Sequence, residues 1–121
     1  MRGWIVLLCA VSAGAVALAG GPSPPPQSPK LLDAGKAAYG ATCLPCHGAT
    51  GEGNGPVAFA IKPPPRNFVK DKFKNGDSVG QVFDTITNGL SNTRMVGYPQ
   101  IAEPDRWALA YYVLSLRAAH K

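Results

Sequence analysis

The chain predicts a small all-α domain, and three observations carry that expectation. Apolar residues recur at three-and-four spacing in two stretches of the 121 residues, Leu31 to Tyr39 and Val79 to Ile86, and on two sides of a third, Glu103 to Ala119. The stretches between them are rich in glycine and proline and offer no strand role. A Cys43-Leu44-Pro45-Cys46-His47 run directly after the first helix gives a chain with so little core of its own a way to hold a large apolar body.

At the N-terminus, residues 1–19 read as an export signal. Arg2 is the positive region, Trp4 to Leu18 the apolar region, and Ala17-Leu18-Ala19 a small-x-small cleavage site before Gly20. The competing reading is an uncleaved anchor, because the apolar run is only slightly shorter than the ~20 residues of a spanning helix. Cys9 sits inside this leader after Leu7-Leu8 and reads as one of its apolar residues. Residues 20–29 form a Pro-rich tether, in which the stretch Pro22 to Pro29, extended at ~3.1 Å per residue, reaches about 25 Å. It is a membrane spacer if the leader stays and a disordered tail if it goes. Residues 30–121 are the domain.

The first helix starts at Ser28-Pro29, serine at the cap and proline at the first helical position. Gly35 in its middle costs helix stability, which points either to close approach of another backbone or to a tolerated glycine. The helix leads into C-x-x-C-H, the attachment signature of haem c: two cysteine sulfurs add to the vinyl groups and the histidine becomes an axial ligand of iron. Two intervening residues on a helical turn bring both sulfurs to one edge of a flat ring. Half a zinc site would have only Cys9 and His120 to complete it. A thioredoxin-like pair would need a βαβ pattern that is not visible, and a plain disulfide turn leaves His47 unexplained. Haem attachment also requires export, in keeping with the leader.

After His47, Gly48 to Pro56 is a loop. Lys62-Pro63-Pro64-Pro65-Arg66-Asn67-Phe68 is a second irregular segment, and Lys62, Arg66, Lys70, Lys72 and Lys74 make it the most basic part of the chain. It serves either solubility or docking to an acidic redox partner. Asp77 is expected to cap the second helix, which ends at Asn88-Gly89. The loop from Leu90 to Ile101 then carries Met95, the only thioether once Met1 leaves, with His120 the only other strong neutral ligand. Met95 is either the second axial ligand or a core filler. The last helix has Glu103 and Asp105 at its positive end, Arg117 and Lys121 at the other, and apolar stripes of Trp107, Tyr111, Leu114 and Ala118 and of Leu109, Tyr112 and Leu116.

From the tether onward the chain resembles the class I, mitochondrial-type cytochrome c family. Gly35 and Tyr39, eight and four residues before Cys43, occupy the places where that family's N-terminal helix crosses its C-terminal one, and Asp105-Arg106-Trp107-Ala108-Leu109 with Tyr112 resembles the latter. The resemblance implies a small cytochrome c fold, with N- and C-terminal helices crossing beside one covalent haem c and Leu109 and Tyr112 facing Gly35 and Tyr39. It implies that the Pro56 carbonyl accepts the hydrogen bond of His47, although Pro56 also reads as a simple turn proline. It makes Arg66 a propionate partner, an alternative to a solvated surface arginine, and Met95 the sixth ligand. The expected function is one-electron transfer in a periplasmic or membrane-surface chain by an exported, monomeric, non-enzymatic carrier. The alternatives are a fixed subunit of a respiratory or dehydrogenase complex, and a haem enzyme or sensor from which Met95 dissociates. A net charge of +5 without an interleaved aromatic and basic stripe argues against nucleic acid.

Overall fold

Ser28 opens the first helix by accepting a hydrogen bond from the Leu31 amide, 3.2 Å, and Pro29 follows in a position where no amide donor is needed. This is a computed structural model that describes residue 14 and residues 21–121, so the expected export segment lies outside the described residues apart from Gly14. Among the described residues four α-helices run in the order α1 Pro29–Thr42, α2 Leu44–His47, α3 Val79–Asn88 and α4 Glu103–Ala118, with a 3-10 turn at Ala58–Ala60. Among the described residues the only sheet-like pairing is an isolated antiparallel bridge between Gly89 and Val96. None of the described helices is long and apolar enough to cross a membrane. The architecture is the all-α one expected.

Helix α4 is the centre of the fold, packed by α1 on one side and α3 on the other. A Cβ at Gly35 would collide with the Ala108 carbonyl and lie 2.8 Å from Tyr112 Cβ, so only glycine allows the two backbones to come this close. Beside the crossing, the Tyr39 and Tyr112 rings meet at 5.2 Å, and Leu109 is fully buried. On the α3 side, Phe83 stacks on Trp107 with centroids 3.8 Å apart. Val82, Phe83 and Ile86 form the buried face that the periodicity marks out.

Two expectations change. Helix α3 is capped by Ser78 rather than Asp77: the Ser78 hydroxyl accepts from the Gln81 amide at 3.2 Å while the Gln81 side chain accepts from the Ser78 amide at 3.1 Å. Ser-x-x-Gln satisfies two orphan donors at once, which a lone aspartate one residue earlier cannot. The Pro-rich segment, in turn, is fastened to the domain at one point, where Tyr111 donates to the Pro25 carbonyl at 2.7 Å. Among the stripes foreseen on α4, Tyr111 therefore supports the tether, while Ala108, Ala110 and Val113 join the buried surface.

Candidate functional site

Helix α2 is one turn long and would leave its carbonyls without partners, yet the loop behind it turns back to satisfy them. The amides of Gly53, Gly55 and Val57 donate to the carbonyls of His47, Cys46 and Pro45 at 2.8, 3.1 and 3.0 Å. A Cβ at Gly53 would lie 2.7 Å from the Pro65 carbonyl oxygen, which accounts for a glycine at φ +76°. Tyr39 adds a brace from α1, its hydroxyl donating to the Gly48 carbonyl at 2.7 Å. Burial holds that phenol well above its ordinary pKa, with lesser contributions from Cys43 and Tyr112.

These braces fix the C-x-x-C-H turn against a cavity of about 360 Å³. Cys43, Cys46 and His47 line one part of it, Met95 another, and the surrounding surface is mostly apolar, with Phe68, Val82, Ile86 and Leu90 among its walls. The volume is in the range of small-molecule and cofactor sites. Both cysteines are free thiols, and burial, reinforced by Cys46, pushes the Cys43 thiol up to about 11. Among the described residues no three His, Cys, Asp or Glu side chains are grouped to hold a single ion. Two thiols and an imidazole spread along an apolar cavity fit a flat body with a metal at its centre better than a zinc ion, so the residues present fit haem c.

His47 is 8% exposed and held on two sides. Its Nδ1 lies 3.1 Å from the Arg66 carbonyl, which can only accept, so Nδ1 carries the proton and Nε2 keeps its lone pair for a metal. The Phe68 ring stacks on the imidazole at 4.3 Å and fixes its plane. Burial lowers the pKa of His47, opposed in part by the bond to Arg66, which keeps the ring neutral as a ligand must be. The accepting carbonyl expected at Pro56 is thus supplied by Arg66. Pro56 is exposed at the start of the turn that leads to the 3-10 segment, whereas the Arg66 carbonyl meets Nδ1 and the Phe68 ring stacks on the imidazole.

The Arg66 side chain lines the cavity and pairs with Asp71 at 3.7 Å. Met95 is fixed through its backbone: its amide donates to the Thr93 hydroxyl oxygen at 3.1 Å, and its carbonyl accepts from the Leu90 amide at 2.9 Å. His120 is exposed beyond the end of α4 and does not line the cavity. Sequence reasoning missed Phe68 as the stacking partner of His47, and Tyr98 as part of the cavity wall. Phe68 stands 21 positions from its partner and no local period links them; Tyr98, three residues after Met95, carried only the signal of an aromatic in a polar loop.

Comparison with known proteins agrees with this geometry. The family model for cytochrome c matches residues 32–117. A solved structure from Kuenenia stuttgartiensis, described as a reducing HAO-like protein complex, is similar at 33% identity with a TM-score of 0.73. The similarity covers 78% of this chain and 47% of that one, so the chain spans less than half of that relative's length. Among curated proteins none matches. With the matched region running from the first helix to the last turn of α4, the chain belongs to the cytochrome c family.

Proposed function

We propose that the protein is an exported class I cytochrome with a single haem c that carries one electron at a time, with His47 and Met95 as axial ligands. One observation carries this reading: the two thiols, the imidazole and the only thioether of the domain line one apolar cavity, although Met95 lies 48 positions beyond His47. When bound, the haem supplies an iron centre that gains and loses an electron. The chain does the rest. Cys43 and Cys46 tether the group, the Arg66 carbonyl and Phe68 aim His47, and the apolar walls keep out water. With the Met95 thioether and the His47 imidazole holding the iron, the soft sulfur would favour the ferrous state and raise the potential. Two protein ligands leave no vacant position for a substrate, which supports a carrier rather than an enzyme. The propionates would find Arg66 at the cavity wall.

The test is Met95→Ala. The oxidised protein is expected to be low-spin with the weak red sulfur-to-iron charge-transfer band, and the substitution to abolish that band, lower the potential and admit carbon monoxide. His120→Ala should alter none of these. Rapid carbon monoxide binding by the unmutated ferrous protein would overturn the carrier reading in favour of a ligand-binding enzyme or sensor.

A fixed subunit is the second reading, supported by the similarity to a chain of a protein complex more than twice as long as the matched region. Purification from native membranes and soluble fractions separates a shuttle in the periplasm from a subunit or a membrane-anchored form.

A further inference from the structure

Met95 sits in a loop whose position is set by the last turn of α3. The Tyr98 amide donates to the Ile86 carbonyl at 2.8 Å, and Gly89 bridges to Val96. The two backbones lie directly on one another. A Cβ at Gly97 would come within 2.5 Å of the Thr87 carbonyl oxygen, and one at Gly89 within 2.6 Å of both the Gly97 nitrogen and the Met95 carbonyl oxygen. Anything that moves Thr87 to Gly89 therefore moves Met95.

Thr87 is held from α4. Arg106 Nη1 donates to Thr87 Oγ1 at 2.6 Å, and that hydroxyl in turn donates to the Phe83 carbonyl at 2.9 Å, one turn back. The guanidinium lies over the Phe83 ring, 4.9 Å from its centroid, and Phe83 stacks on Trp107. Arg106 Nε is buried without a protein partner, so the group gives up hydration for the contacts with Thr87 and the ring.

We propose that Arg106 is a positioning residue for Met95: by locking the end of α3 it holds the loop against the cavity and sets how often the thioether leaves the iron. The proposal rests on Met95 being an iron ligand. It differs from a structural role in joining α3 to α4, because it predicts opening of the Met95 loop without unfolding of the domain.

The experiment measures cyanide binding to the ferric holoprotein at saturating cyanide, where release of Met95 limits the rate, alongside the charge-transfer band and global thermal unfolding. Arg106→Met is expected to raise the limiting rate roughly 10- to 100-fold, the factor carried by one charge-assisted hydrogen bond. The band should also fade well below the temperature at which the helices melt. Thr87→Val should act in the same direction, and Arg106→Lys should restore part of the effect. Tyr111→Phe, which loosens the Pro25 contact far from the loop, should lower stability and leave the rate unchanged. The proposal is overturned if Arg106→Met is folded with an unchanged rate, or if its rate rises only as much as that of Tyr111→Phe. If Arg106→Met does not fold, an unchanged rate in Thr87→Val overturns it. Absence of the band in the unmutated protein, or its survival in Met95→Ala, would instead remove the ligand reading on which the proposal stands.

Discussion

Tyr39 combines two jobs in one side chain. Its ring fills the junction of α1 and α4, and its hydroxyl satisfies the Gly48 carbonyl behind the C-x-x-C-H turn. Tyr39→Phe keeps the ring but leaves a buried carbonyl without its donor, so a loss of about 1–3 kcal/mol in denaturant unfolding is expected. The pH dependence follows from the same burial. With the folded-state pKa raised, the unfolded chain releases the phenol proton first. The stabilisation is therefore complete below pH ~10 and declines as the pH climbs above it. Denaturant titrations between neutral and alkaline pH should show this decline, and it should be shallower in Tyr39→Phe. An equal decline in the variant would assign it to another group.

Among the elements, the contact of α1 with α4 is the least tolerant. Gly35→Val places branched carbons where the Ala108 carbonyl already stands, and the neighbour is backbone that cannot turn aside. Separation of the two helices would expose Leu109 and part of Tyr39, a cost of roughly 3 kcal/mol or more by the scale of overpacked cores. Calorimetry of the haem-loaded protein should record this as a lowered unfolding temperature. Gly40 on the same helix has open space where a Cβ would be, so Gly40→Ala should be neutral or stabilising. Helix α4 also ties down the segment before α3: Arg117 donates to the Asp71 carbonyl at 2.9 Å and lies over the Phe73 ring at 4.8 Å.

For the whole molecule, charge bears on how partners are met. Lys62, Lys70, Lys72 and Lys74 are in the segment that leads past Arg66 to the cavity wall at Lys74, and all four are exposed. On the proposed carrier reading, with an acidic redox partner, changing Lys70, Lys72 and Lys74 together to glutamine should slow electron transfer mainly through association, and the difference should shrink as salt shortens the Debye length below ~10 Å. A rate unchanged at low ionic strength would leave these lysines to solubility alone. Phe59, 85% exposed on the 3-10 turn, shows that not every aromatic of so short a chain finds a place in the core.

What the sequence determined by itself was local: the helix caps at Ser28 and at the end of α3, the apolar face of α3, and the two cysteines beside a histidine. Each is set by neighbours within a few positions or by a motif whose spacing has a chemical reason. Tertiary structure decided which carbonyl meets His47, which ring stacks on it, which loop brings Met95 to the cavity and where the Pro-rich segment is fastened. Arg66 outcompetes Pro56 because the loop amides of Gly53, Gly55 and Val57 are drawn to α2, which leaves the imidazole facing the chain at residues 66–68. Such choices depend on pairs separated by 19 to 86 positions, where chain periodicity carries no signal and only packing around the cavity selects the partner.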